Sequence, residues 1–142
     1  MQRNLRVFLD TSAILAGLNS PNGAAGVILA ASFAKKVIPI ISSQIIEETN
    51  RNVQLKFPKL TTAWQSFLLI PPEIIKDPTL KQIEKAHTIL PTSDAPILAC
   101  AIKIRPTALI TWNTKDFMRK SILEAVDFPI LIPGDFLHKF LL

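Results

Sequence analysis

Five of the 11 acidic residues fall where side chains from distant parts of a chain can meet. They are Asp10, Glu47, Glu48, Asp94 and Asp116, each just after an apolar run or in an early turn of a helical segment. Carboxylates packed in one cleft raise one another's pKa, and the arrangement is costly unless a cation offsets the charge. Oxygen ligands without a Cys or His cluster favour Mg²⁺ or Mn²⁺ over zinc. If these acids converge, the sequence predicts a site for one or two such ions.

Each acid also has a purely structural explanation. A carboxylate at a helix N-terminus caps the helix and interacts favourably with its dipole, a contribution of roughly 0.3 to 2 kcal/mol that accounts for Asp10 or Asp94 alone. Glu47 and Glu48 are neighbours that point about 100° apart on a helix, so at most one of them faces a shared cleft. Whether these acids serve as caps or do chemistry therefore depends on whether they meet.

The elements that would position these acids follow from the apolar pattern. Short apolar runs predict strands at 5–9, 37–41, 73–76, 107–111 and 128–132. Longer segments predict helices at 24–36, 42–57, 59–70, 79–90, 93–104 and 134–142, the fifth capped by Ser93 or Asp94. Pro39 cannot donate to a strand ladder and indicates an edge or irregular position in the second strand.

The alternation of strands and helices indicates an α/β fold with a mainly parallel sheet. Ligands of such sheets bind beyond the carboxyl ends of the strands. Asp10 directly follows the first strand and Asp116 follows the fourth by a few residues, so both are expected near that edge. At 142 residues, the chain has the size of one domain spanning residues 1–142.

The charge balance is basic. Lys and Arg number 16 against 11 Asp and Glu, which gives a net charge of +5 and suits a polyanion such as nucleic acid. The basic residues are scattered along the chain, as on an ordinary solvated surface. No apolar run approaches the roughly 20 residues that a membrane helix needs, and the N-terminus has no apolar stretch of the signal-peptide kind, so we expect a cytoplasmic protein without membrane contact.

The remaining metal-binding and nucleophilic side chains are sparse. Cys100 is the single cysteine and lies in the apolar run PILACAI, which indicates a small buried side chain without a chemical role. His87 and His138 lie in different helical segments, and we expect both at surface or structurally satisfied positions.

Four segments together resemble the PIN domain, a metal-dependent nuclease fold that includes VapC-like toxins. They are VFLDTSAIL, SSQIIEETNRNV, SDAPILACAI and LITWNTKDF, in the order and approximate spacing of that family across residues 7 to 117. No one of the four segments is specific to that family, whereas the ordered set of four is fairly strong evidence for it. The resemblance implies a three-layer α/β/α sandwich around a mainly parallel sheet, with acidic residues clustered at one edge.

The resemblance also implies which residues form the site. The first acid of the family matches Asp10, followed by Thr11 or Ser12 as hydroxyls that can orient ligands. The second acid of the family is a Glu about six residues after a Ser, which selects Glu48 in preference to Glu47.

The remaining family positions lie in the second half of the chain. The third acid matches Asp94, at the start of a D-A-x-I-L-A-like helix. The fourth belongs to TWNTKDF, where Asn113 occupies the place that usually holds an Asp and Asp116 supplies the charge instead. Asn113 can ligate through its carbonyl oxygen but brings no negative charge, which would weaken a second metal site.

The activity implied by the resemblance is hydrolysis of RNA phosphodiester bonds by one or two Mg²⁺ or Mn²⁺ ions, with Asp10, Glu48, Asp94 and Asp116 as the ligand set. It also implies a homodimer and, for a toxin, an antitoxin partner that covers the cleft. Two rival functions stay open at this point. One is a PIN-like module that binds RNA or a partner without cleavage, favoured by Asn113, and the other is a phosphatase with Asp10 as nucleophile.

Several residues near the predicted site have two interpretations. Lys115 and Arg119 fit either phosphate contacts or an ordinary charged surface. Trp112 could stack on a base, although an aromatic residue that leaves a strand more often packs against the protein. The terminal segment FLHKFLL could contact a partner, although packing on its own sheet is the simpler expectation.

Overall fold

The computed structural model describes residues 5–70 and 72–142. Its strands are β1 (Leu5–Leu9), β2 (Val37–Ser42), β3 (Glu73–Ile75), β4 (Ala108–Ile110) and β5 (Ile130–Leu131). Its α-helices are α1 (Thr11–Asn19), α2 (Ala24–Phe33), α3 (Ser43–Leu55), α4 (Thr61–Leu69), α5 (Leu80–Ile89), α6 (Ala95–Ile104), α7 (Thr114–Phe117), α8 (Lys120–Ala125) and α9 (Pro133–Phe136). A 3₁₀ turn at Pro58–Leu60 leads into α4, and a π-helical turn at Leu137–Leu141 follows α9.

The strands form one parallel sheet in the order β3-β2-β1-β4-β5, and helices flank it. The predicted α/β/α sandwich with a parallel sheet is therefore confirmed. From β1 the chain builds outward to β2 and β3 on one side, and it then returns to β4 and β5 on the other. The carboxyl edge beside β1 is thus the place where the strand order reverses, which is where open α/β sheets bind their ligands.

The sequence of β1 explains its central place. Val7 and Phe8 are fully buried, as expected for a strand covered on both faces by helices.

Pro39 does not mark an edge strand, and that part of its prediction is wrong, because β2 lies between β1 and β3. The register of β2 with β3 begins only at Ile40, so at Pro39 the strand is paired with β1 alone. The missing N–H is tolerated where the ladder is one-sided.

Two regions differ from the prediction. No element was predicted over residues 11–23, where α1 begins directly after Asp10 and Asp10 is its N-cap. No element was predicted between the fourth and fifth strands either, where the structure has the one-turn helix α7, capped by the side chain of Asn113, and the helix α8. Helices as short as α7 and α8 depend on caps and on tertiary packing rather than on sequence propensity, so an apolar pattern does not reveal them.

The connection between α1 and α2 is tight, and two glycines permit it. A Cβ on Gly17 would lie 2.6 Å from the Leu29 side chain, and one on Gly26 would lie 2.3 Å from the backbone oxygen of Pro21. Within the described residues no single helix is long and apolar enough to cross a membrane, and only α1 and α2 together reach that length, with a bend of 92° between them.

The C-terminal segment packs onto the core, as expected. Phe136 is fully buried and Leu137 nearly so, and Phe140 lies against the same core. The rings of Phe136 and Phe140 are 5.0 Å apart between centroids. The apolar residues of FLHKFLL are therefore used within the fold, except Leu142, which is 82% exposed.

Candidate active site

Asp10 lies at the end of β1, and its neighbours hold its side chain in place. Its Oδ1 accepts a hydrogen bond from the Thr11 amide at 2.8 Å, which caps α1. Its Oδ2 accepts from the hydroxyls of Thr111 at 2.8 Å and Ser12 at 3.0 Å. Only 5% of the residue is exposed. Asp10 is therefore both a helix cap and a carboxylate held rigidly by hydrogen bonds at the carboxyl edge of the sheet.

Glu48 reaches the same edge from α3. This helix follows β2 directly and is capped by the hydroxyl of Ser42, which accepts from the Ile45 amide at 3.2 Å. Glu48 Oε2 accepts from the Thr11 hydroxyl at 3.0 Å, and its Oε1 accepts from the Gln44 side-chain amide at 3.1 Å. The hydrogen bond to Thr11 therefore joins α3 to the start of α1, beside Asp10.

Glu47, one residue earlier, has a different environment. It is exposed, whereas Glu48 is half-buried and bonded to Thr11. The roughly 100° turn between neighbouring helical residues thus sends one glutamate to the cleft and the other to solvent.

Asp94 begins α6, the helix that leads into β4, so its position is also at the carboxyl edge. It occupies the N-cap position, yet its side chain makes no capping hydrogen bond. Its Oδ2 instead accepts from the Asn113 side-chain amide at 3.2 Å. The capping explanation for Asp94 therefore does not apply, and its carboxylate faces the other acids.

Asn113 connects two of the acids. Its Nδ2 donates to Asp94 Oδ2 and to Asp116 Oδ2, both at 3.2 Å, and its Oδ1 accepts from the Asp116 amide at 3.3 Å. Asp116 also pairs with Arg119, whose guanidinium lies 2.9 Å from its Oδ1. A neutral amide thus stands between two carboxylates that would otherwise repel each other.

The electrostatics agree with a cleft shared by four carboxylates. Burial raises the pKa of Asp94 to about 6 from its ordinary value of 3.8, and the charges of Asp10, Glu48 and Asp116 contribute to the rise. Such coupling requires proximity, because charges separated by more than roughly 10 Å of solvent are screened at ordinary ionic strength.

The pKa of Asp10 is raised as well. Burial is the main cause, and the charge of Glu48 adds to it, whereas hydrogen bonds from Thr111, Ser12 and Thr11 act in the opposite direction. The cluster is therefore negatively charged at neutral pH only at an energetic cost, which a divalent cation would relieve.

The donor set fits a hard divalent ion. All its strong ligands are carboxylate oxygens, and the histidines are elsewhere, since His87 and His138 are both exposed. Across residues 5–70 and 72–142, no three His, Cys, Asp or Glu side chains are already arranged to hold one ion. The acids are thus close enough to interact electrostatically but need side-chain movement to close around a metal.

Two residues of this site were not predicted. Thr111 is fully buried. Its hydroxyl donates to Asp10 and accepts from the backbone N–H of Asn113 at 2.9 Å, so Thr111 joins the end of β1 to the loop after β4. The sequence feature that could have indicated Thr111 is its place as the first residue of the segment TWNTKDF. Gln44 donates to Glu48, and the only sequence feature that indicates this contact is that the two residues lie four positions apart, one turn of a helix.

Trp112 is 47% exposed, so the interpretation that it packs against the protein is wrong. Its amide donates to the Ser12 hydroxyl at 3.0 Å, which places its backbone at the edge of the cleft. Its neighbours in the same segment differ, since Lys115 is exposed and Arg119 is paired with Asp116.

Cys100 lies away from these residues in the core of α6. It is buried, and that burial raises the pKa of its thiol to about 11, as expected for an unreactive side chain.

Comparison with known proteins identifies the fold. A sequence-family model described as PIN domain matches residues 6–115. No curated protein matches the chain by sequence.

Three solved structures share the fold at low identity. VapBC2 from Rickettsia felis, solved bound to a DNA fragment from their promoter, is 20% identical with a TM-score of 0.66 over 90% of this chain and 98% of that one. PAE2754 from Pyrobaculum aerophilum is 15% identical, with a TM-score of 0.61, and the match covers 96% of this chain and 97% of PAE2754. VapC20 from Mycobacterium tuberculosis, a sarcin-ricin loop cleaving toxin, is 17% identical, with a TM-score of 0.55, and the match covers 76% of this chain and 90% of VapC20.

Proposed function

The chain belongs to the PIN domain family, and from this membership and its converging carboxylates we propose that it is a metal-dependent endoribonuclease. The reaction is hydrolysis of an RNA phosphodiester bond with Mg²⁺ or Mn²⁺. The observation that carries the proposal is the environment of Asp94, whose carboxylate caps no helix and is coupled to three other carboxylates. A basic protein that gathers acids in this way gains most from a bound divalent cation.

Asp10, Glu48 and Asp94 are the proposed ligands, with Asp116 as the fourth acid. A bound Mg²⁺ or Mn²⁺ would polarise a phosphoryl oxygen and lower the pKa of an attacking water. Of the about four lone-pair sites that a carboxylate offers, the Asp10 side chain uses three for hydrogen bonds, so Oδ1 keeps one site for an ion.

The surrounding residues orient these ligands. Thr111 and Ser12 hold Oδ2 of Asp10, so its carboxylate is positioned before any ion arrives. The Thr11 hydroxyl and the Gln44 amide hold Glu48 in the same way. Such supporting contacts typically matter about 10- to 100-fold for metal affinity or activity. Glu48 acts either as a ligand or as the base that orients the water.

The direct test is an assay of the purified protein on mixed RNA with Mg²⁺, with Mn²⁺ and with EDTA. We expect cleavage with either ion and none with EDTA. Asp10→Asn and Asp94→Asn should abolish cleavage, while circular dichroism shows an unchanged fold. Undiminished cleavage by both folded variants would overturn the assignment of these residues.

A second candidate function is binding of RNA or a partner without cleavage. It is favoured by Asn113, which brings no charge to the fourth position, and by the absence of a ready three-ligand arrangement among the described residues. In that case, the purified protein would bind RNA, and Mg²⁺ or Mn²⁺ would not stimulate its breakdown. The same assay therefore separates the two functions.

A phosphatase with Asp10 as nucleophile has less support. Both carboxylate oxygens of Asp10 accept hydrogen bonds and the residue is buried, so neither oxygen is poised for attack on a phosphorus atom. The segment DTSAI also lacks the second Asp two positions on that such an enzyme uses as acid and base.

We also propose that the chain is the toxin of a toxin–antitoxin pair and forms a homodimer. Family membership and the likeness of its fold to that of VapBC2 support this. Co-expression with a small protein encoded beside it, followed by size-exclusion chromatography with light scattering, tests both points. Monomeric elution without a co-purifying partner would contradict them.

A further inference from the structure

A groove runs along α1 away from the acidic cleft. Its lining residues are Ser12, Leu15, Ala16, Asn19, Phe57 and Leu60, and its volume is about 260 Å³. The four α1 residues follow the spacing i, i+3, i+4 and i+7, which is one face of a helix. From Ser12 to Asn19, this face is about 10 Å long at 1.5 Å per residue. The groove therefore has room for a flat group about the size of a nucleobase.

The groove is continuous with the cleft through Ser12. The Ser12 hydroxyl donates to Asp10 and accepts from the Trp112 amide, while the same residue forms the near end of the groove. An RNA whose phosphate lies at the acids would thus have its next base beside this groove. This placement rests on the proposed ribonuclease function.

The chemistry of the lining matches a base better than a phosphate. Phe57 is 37% exposed and presents an aromatic ring to the groove, and Leu60 is buried beneath. At the far end, the exposed amide of Asn19 carries both donors and an acceptor, which can pair with the edge of a base. None of the six lining residues is acidic.

The charge around Phe57 favours RNA over a polypeptide as the occupant. Lys56 and Lys59 bracket it in the chain, and both are exposed. An aromatic side chain between cations is the combination with which proteins bind single-stranded nucleic acid, stacking on the base and pairing with the backbone. We propose that this groove is a nucleobase subsite in which the base next to the scissile phosphate stacks on Phe57 and is read by Asn19.

The test compares intact RNA with RNA that lacks one base. A fluorescein-labelled 12-mer and the same 12-mer with a single abasic nucleotide are titrated with the wild-type protein and followed by fluorescence anisotropy. Phe57→Ala should weaken binding of intact RNA about 5- to 20-fold, the loss expected for one stacked base. Leu55→Ala is the matched control, because Leu55 is 73% exposed on the end of α3 and does not line the groove.

The abasic arm identifies the group that binds. The abasic position is moved along the 12-mer, and at one position it should weaken binding by wild type but not by Phe57→Ala. Asn19→Ala should change the preference among the four bases at that position. Equal losses from an abasic position in both proteins, or an unchanged affinity of Phe57→Ala, would overturn the proposal in favour of an apolar polypeptide as the occupant. Wild type that binds no RNA would instead contradict the proposed function itself.

Discussion

Among single residues, Asn113 is the most informative. It donates to both Asp94 and Asp116 and caps α7, so it replaces like-charge repulsion with two hydrogen bonds. An Asp at this position would cap α7 equally well, because Asp and Asn rank together as N-caps. Replacing Asn113 with Asp therefore adds a negative charge and removes the hydrogen bonds to Asp94 and Asp116, while the N-cap of α7 is kept.

We predict that Asn113→Asp destabilises the metal-free protein and tightens Mn²⁺ binding. The loss of two amide-to-carboxylate bonds and the added charge should lower the free energy of unfolding by at least about 1.5 kcal/mol at pH 8 in EDTA. Urea unfolding with and without Mn²⁺ measures both effects. Asn113→Ser keeps a capping side chain without the charge, and an equal gain in Mn²⁺ affinity there would contradict the electrostatic explanation.

The raised pKa of Asp94 predicts how stability depends on pH. Its value is about 6 in the folded protein against an ordinary 3.8, so the folded state binds more protons between these values. The free energy of unfolding of the metal-free protein should therefore fall as pH rises from about 4 to about 6. Above about pH 6, the whole loss of stability from ionising Asp94 in the folded protein should remain.

Denaturant unfolding in EDTA from pH 4 to pH 8 measures this dependence. Asp94→Asn removes the titrating group and should flatten the slope, and Mn²⁺ should oppose the decline in the wild type. An Asp94→Asn protein with the wild-type slope would show that another group is responsible.

Among the elements, α1 determines the site by its position. It begins directly after Asp10, supplies Thr11 and Ser12 to the cleft and forms one wall of the groove. Its orientation depends on close packing with α2, since a Cβ on Gly26 would meet backbone atoms of Ser20 and Pro21 within 2.5 Å. Backbone atoms cannot rotate away as a side chain can.

We predict that Gly26→Ala lowers the free energy of unfolding by about 1 to 3 kcal/mol, the usual range for overpacking. It should also reduce the proposed nuclease activity, because α1 carries part of the candidate site. Gly134→Ala is the control, since nothing lies within 4 Å of a Cβ there. Equal unfolding midpoints for the two variants would contradict the packing argument.

Elements and candidate site residues were not equally predictable from the sequence. The five strands and the helix beginning near Asp94 followed from apolar runs and breakers, because burial between two helical layers imposes continuous apolar strands. Helix α1 was missed, since TSAILAGLN has neither a conspicuous breaker nor a clear amphipathic period. The acids of the site could be named, whereas Thr111 could not, because its hydrogen bond to Asp10 joins residues 101 positions apart.

Across the molecule as a whole, a net charge of +5 surrounds a cleft of four carboxylates. The two signs have separate tasks in the proposed function, since the acids hold the cation and the scattered lysines and arginines attract the polyanion. Phosphates should thus be attracted from a distance but tolerated at the acids only with a divalent ion present.

We predict a salt-dependent affinity for RNA that depends on particular lysines. Replacing Lys56 and Lys59 with Ala should make the slope of log K against log salt shallower by about 0.7 for each RNA phosphate that these two side chains neutralise. Lys81 and Lys85, also exposed but on α5, are the control pair and should leave the slope unchanged. Equal changes from both pairs would indicate attraction by overall charge alone.

Whether the acids converge on one divalent ion is tested by the affinity for Mn²⁺ of the wild type and three variants. This affinity is measured by titrations in which electron paramagnetic resonance reports the free ion. Wild type and Glu47→Gln should bind the ion with the same affinity, because Glu47 is exposed to solvent. Asp94→Asn and Asp10→Asn should each lose at least about tenfold in affinity. Wild-type affinity in Asp94→Asn, or an equal loss in Glu47→Gln, would contradict a metal site shared by these acids.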